Sequence, residues 1–162
     1  MNFINRCQLW QRKEKSVLDS HRILTRIEEI NKRIRILKKR FKPLSEKELT
    51  TNEDLNAAAE HHLQVAIQAC IDIAGHIVST FGLERPSSET SELFKSLEKE
   101  SILPESFTKK MIKITGYRNV LVHDYLEVDR HITYQNIQKR LADLSKFAKY
   151  IEEFIEKQEK KN

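Results

Sequence analysis

The chain has 162 residues, of which 39% are hydrophobic and 33% charged, with three Gly and three Pro. That length suits one domain, and so few turn formers exclude a turn-rich β protein and favour long helices. The net charge of +5 is compatible with an anionic partner such as RNA but does not require one.

Cys7 and Cys70 form no Cys-x-x-Cys pattern and no even-numbered framework, so neither a disulfide scaffold nor a zinc site is expected. No wholly apolar run of about 18 residues and no signal-peptide core occurs. The expected location is the cytoplasm, with no membrane partner and no cofactor. One domain is expected over 1–162, with an amphipathic helical region over 1–48 and a charged tail that frays over 156–162.

In chain order, Val17, Leu18, His21, Leu24, Ile27, Ile30, Ile34, Leu37 and Phe41 recur every three or four residues and predict one long helix ending before Pro43. Thr51 or Asn52 can cap a second, with Glu53 and Asp54 in its first turn, Leu63, Ile67, Cys70, Ala74 and Ile77 on its apolar face, and Gly82 as its stop. A shorter helix is expected over 91–100 and is separated by Pro104 from the next, where Phe107, Met111 and Ile114 advance by four and three. The next position on that stripe is Arg118, a cation where an apolar residue was due. Asp129 can cap a last helix through Ile132, Ile137, Leu141, Leu144, Phe147, Ile151 and Phe154. The fold class expected is all-α, an antiparallel bundle of four to five helices.

The stretch Gly116-Tyr117-Arg118-Asn119-Val120-Leu121-Val122-His123-Asp124-Tyr125 interleaves polar and aliphatic residues. On an unbroken helix Arg118 and His123 would point roughly 140° apart. They meet if the helix ends between them, or if two copies of the chain face each other across a two-fold axis. An extended backbone over 122–125 would put His123 and Tyr125 on one side. Arginine and histidine together suit RNA cleavage. A guanidinium binds phosphate bidentately and stabilises charge growing on its oxygens, and an imidazole takes the 2′-OH proton or protonates the leaving 5′ oxygen. Taken singly, each residue also has an ordinary role: Arg118 as a helix-terminal cation, His123 as a hydrogen-bonded structural histidine, Tyr125 as a core aromatic.

Arg118, four residues, His123, one residue and Tyr125 resemble the signature of HepT-like toxins of the HEPN superfamily. The resemblance extends to Leu63 through Ile77, to Gly82-Leu83-Glu84-Arg85-Pro86 and to Ile102-Leu103-Pro104, and covers roughly 55–154. It implies a homodimeric HEPN bundle with ribonuclease activity, Arg118 and His123 as the catalytic pair, and Asn119 and Asp124 in their polar surroundings. It also implies an antitoxin partner, an MntA-like nucleotidyltransferase that adds AMP to Tyr125. A non-catalytic HEPN module that binds nucleotides or a nucleotidyltransferase is the alternative in a different class.

Asp72 and His76 lie four apart on one helix face, where they can form a buried hydrogen-bonded pair or support the catalytic groove. Adjacent His61 and His62 diverge by about 100° on a helix, so no metal is assigned to them. The run Lys32, Arg33, Arg35, Lys38, Lys39, Arg40 and Lys42 is either an RNA-steering patch or a solvated face.

Overall fold

The computed structural model describes residues 18–85, 87–123 and 129–161, with the backbone alone at 122 and 123. Regular structure among them is helical: α1 Ser20–Ile36, α2 Glu46–Thr51, α3 Glu53–Phe81, α4 Thr90–Lys99, α5 Glu105–His123 and α6 Arg130–Glu159. Asp19, Asn52 and Asp129 cap α1, α3 and α6 by accepting from the Arg22, Leu55 and His131 N–H groups, which satisfies donors that the first helical turn leaves unpaired. The short α2 is the element not expected. Its signal is local: Ser45 and Glu48 form a capping box, each side chain accepting from the other's backbone N–H.

Steps of four and three bury Ile23, Ile27, Ile30 and Ile34, and carry on to Leu37 and Phe41. The expected stripe ran through Leu24, which is 43% exposed; Ile23 takes the core position at 1%. Two successive steps of three, from Ile30 to Ile27 to Leu24, drift about 120° around a helix, whereas a three followed by a four stays on one line. Residues 37–41 then widen into a single π turn, closed by the Lys42 N–H on the Leu37 carbonyl at 2.9 Å. Leu37 and Phe41 anchor that turn in the core, and Lys38, Lys39 and Arg40 between them are exposed.

The central helix is α3. By composition it is long and apolar enough to cross a membrane, but Ala59, Leu63, Ala66, Ile67, Ile73 and Ile77 are buried in the bundle. It packs against α1, α4, α5 and α6. Ion pairs and hydrogen bonds set the directions. Arg26 meets Asp72 while Arg33 meets His62, so α1 runs antiparallel to α3. Thr133 meets Glu60 while Phe154 meets Phe81, so α6 runs parallel to it. Each large apolar side chain buried this way contributes about 1.5–3 kcal/mol. Cys70 is one of these core residues: burial pushes its thiol pKa up and keeps it protonated. At the far end, α6 stays helical to Glu159, with Ile155 buried, into the segment expected to fray.

Among the described residues, two helices end on a left-handed residue. Gly82, at φ 58°, ends α3, with the Leu83 N–H reaching back to the Val78 carbonyl. Ser101, at φ 57°, ends α4 in the same way, with the Ile102 N–H on the Leu97 carbonyl at 2.9 Å. A side chain in this region costs about 1–2 kcal/mol that glycine avoids, and glycine's greater freedom when unfolded returns part of it. Ser101→Gly is therefore expected to raise stability by about 0.5–1 kcal/mol in denaturant titration. A lowered midpoint would contradict the left-handed cap.

Candidate active site

Helix α5 is unbroken from Glu105 to His123. Positions 118 and 123 therefore lie about 140° apart around one axis, and a helix end between them is not what joins them. An extended backbone at 122 and 123 is likewise replaced by helix. The side chain of His123, and Asp124 and Tyr125 altogether, lie outside the described residues.

Tyr117, three residues beyond Ile114, fills the core position that the sequence pattern assigned to Arg118, and is 7% exposed. Arg118 sits beside it, half-buried. Its Nε is buried without a hydrogen-bond partner among the described residues, and its Nη1 reaches Asn119 Oδ1 only at 3.5 Å. No ion pair among the described residues engages this guanidinium. An unpaired buried donor of this kind costs about 1–3 kcal/mol, so the fold carries Arg118 at some expense.

What holds this end of α5 is a chain of polar contacts that sequence reasoning did not find. The Tyr117 hydroxyl lies 2.8 Å from Thr133 Oγ1, Thr133 donates to Glu60 Oε1 at 3.1 Å, and Asn56 Nδ2 donates to the same oxygen at 2.6 Å. Because Thr133 has one proton and gives it to the carboxylate, Tyr117 is the donor to Thr133. Burial pushes the tyrosine pKa up and keeps that proton in place. Thr133 is fully buried here, while Ile132, expected on the apolar stripe, is 43% exposed. The exchange puts a hydroxyl where α3, α5 and α6 meet.

Asp72 lies elsewhere. Its carboxylate accepts from Gln68 at 2.8 Å and pairs with Arg26 at 3.4 Å. It is twelve residues, about 18 Å, along α3 from Glu60, and within one chain it does not join Arg118. Nor does it pair with His76, whose Nε2 is buried with no hydrogen-bond partner among the described residues. Both residues line a cleft of about 800 Å³ that also includes Arg22, Arg26 and Arg85. His62 accepts from Arg33 Nη1 at 3.0 Å, and burial together with the Arg33 charge pushes its pKa down, so the imidazole is neutral and structural. The described residues contain no group of three or more potential metal ligands.

Comparison with known proteins bears on the chain as a whole. The family model described as Ribonuclease HepT-like matches residues 30–151. A tRNA nuclease HepT of Aphanizomenon flos-aquae is 31% identical over 141 residues, covering 86% of this chain and 94% of that protein. An mRNA nuclease HepT of Shewanella oneidensis is 34% identical over 86 residues, covering 53% of this chain and 64% of that protein, so the match spans less than two thirds of its length. Among solved structures, the tri-AMPylated Shewanella oneidensis HEPN toxin in complex with MNT antitoxin superposes with a TM-score of 0.73 at 27% identity, covering 81% of this chain and 96% of that one.

Proposed function

This chain belongs to the HepT-like ribonuclease family, and on that premise we propose that it is a cytoplasmic toxin whose endoribonuclease site is composed across a homodimer by Arg118 and His123. The observation that carries this reading is the Arg118 guanidinium, half-buried toward the end of α5 with no partner for Nε among the described residues, five residues before His123 on an unbroken helix. One helix cannot turn both positions toward a single phosphodiester, whereas a two-fold axis beside α5 sets Arg118 of one copy opposite His123 of the other.

The chemistry follows from the two side chains. Arg118 grips the non-bridging phosphate oxygens and stabilises their growing charge. His123 takes the 2′-OH proton as the 2′ oxygen attacks phosphorus; the bond to the 5′ oxygen breaks, and that oxygen takes a proton from the imidazolium so formed, which returns His123 to its neutral state. The products are a 2′,3′-cyclic phosphate and a free 5′-hydroxyl, and DNA, lacking the 2′-OH, is inert. RNA incubated with the protein in excess chelator tests this. A cyclic phosphate end supports the reading, and a cleavage that requires added divalent metal or leaves a 5′-phosphate overturns it.

That the Shewanella oneidensis HEPN toxin is seen tri-AMPylated and in complex with MNT antitoxin supports a control of this kind here: a separate MntA-like nucleotidyltransferase adds AMP to Tyr125. Bulk and negative charge two residues from His123 would exclude the substrate phosphate. With a cognate transferase and ATP, the wild type should gain AMP by mass spectrometry and Tyr125→Phe should not. Equal labelling of both would remove Tyr125 as the acceptor.

A further inference from the structure

The π turn at residues 37–41 is left unexplained by the catalytic pair. A wide turn is a common way to end a helix, and this one ends α1; what distinguishes it is what it displays. This one lies between two fully buried anchors, Leu37 and Phe41, and displays Lys38, Lys39 and Arg40 in succession on the surface, with exposed Lys42 after them. None of these four makes an ion pair among the described residues, although Arg40 lies over the Phe41 ring at 5.5 Å. The nearby acids are engaged elsewhere: Glu46 binds His131 at 2.8 Å, and Glu48 is held in the Ser45 capping box. A desolvated anchor on each side and unneutralised charge between them is an arrangement that meets an anionic ligand.

Contacts place this turn at the same end of the bundle as Arg118. Phe41 packs on the His62 ring at 5.9 Å, two residues along α3 from Glu60, which joins Thr133 and through it Tyr117. The Lys42 carbonyl accepts from Gln138 and the Thr50 carbonyl from Arg130, both at 3.0 Å, so the segment is held by the same N-terminal half of α6 that carries Thr133 against Tyr117. Exposed His61 lies next to His62, their rings 5.7 Å apart, and is available to stack on a base.

We propose that the π turn is a backbone-binding ridge for single-stranded RNA, with Lys38, Lys39 and Arg40 gripping phosphates several nucleotides from the one being cut. This rests on the nuclease reading above and adds where the substrate strand runs. Each phosphate neutralised on a single strand contributes about 0.7 to the slope of log affinity against log salt, so three contacts contribute about 2.

The test compares the wild type with K38Q/K39Q/R40Q on a long unstructured RNA and on a dinucleoside monophosphate too short to reach the ridge. On the long RNA the variant should show KM raised about 10-fold at near-physiological salt with kcat held, and a salt slope of KM smaller by about 2. On the short substrate the two proteins should match, and the charge-conserving K38R/K39R/R40K should restore KM on the long one. Equal KM and salt slope for both proteins on an RNA that the wild type cuts would overturn the ridge while sparing the nuclease. Unchanged RNA kinetics with lost binding to a purified nucleotidyltransferase would also overturn it and make the turn a protein-docking surface. Should the wild type cut neither substrate, the nuclease reading fails and the ridge falls with it.

Discussion

Arg118→Ala is expected to slow RNA cleavage by about 10²- to 10³-fold, the usual cost of removing one preorganised charge-stabilising donor, while changing stability by no more than about 1 kcal/mol. The two parts of that expectation have one origin. Nε of Arg118 is buried with no partner among the described residues, so the folded chain gains little from it and carries a desolvation cost that alanine removes. The lost packing of its half-buried stem offsets part of that gain. An ordinary helix-terminal cation would behave in the opposite way, losing some stability and no activity. Arg118→Lys should recover only part of the rate, since an ammonium binds phosphate at one point where the guanidinium fork binds at two. A full-rate Arg118→Ala variant would remove this residue from the chemistry.

His123→Ala is expected to lose about 10²- to 10⁴-fold in turnover, the range for a single general acid or base. Helical content should be retained. The pH profile separates this from a misfolded site: cleavage by the wild type should show limbs set by an imidazole near neutrality, and the residual rate of the variant should lose them. Persistence of the same limbs in the variant would assign the titration to another group.

Much of the bundle could be read from spacing. Apolar steps of four and three gave the long helices, and Asn52, Gly82 and Asp129 marked their ends where capping chemistry requires them. The errors concern which residue of an adjacent pair faces inward. Ile23 rather than Leu24, Tyr117 rather than Arg118 and Thr133 rather than Ile132 occupy the core. Periodicity tolerates one residue of phase, about 100°, and at Thr133 hydropathy points to the wrong neighbour. That residue is buried because Glu60 and Tyr117 complete its hydrogen bonds, a partnership between three helices that no local pattern encodes. The π turn was hidden for a similar reason: Leu37 and Phe41 keep helical spacing, and the widening shows only in the Lys42 to Leu37 hydrogen bond.

In the site, the motif named the residues and the helix fixes the angle between their backbone positions. Continuity of α5 through His123 removes a helix break between the two positions, and the other route the sequence offered, a second copy of the chain, is the one proposed. Asp72, which sequence alone left between a catalytic and a structural role, is occupied by Arg26 and Gln68 on the α1 side of the bundle.

Mixing Arg118→Ala with His123→Ala subunits by denaturation and joint refolding tests the composite site directly. In a mixed dimer one of the two sites retains an intact arginine from one copy and an intact histidine from the other. With half the dimers mixed, about a quarter of wild-type cleavage should return, although each variant refolded alone stays inactive. No recovery, in a mixture shown to contain mixed dimers, would mean that each chain must supply both groups to its own site, and the cross-subunit account would be wrong.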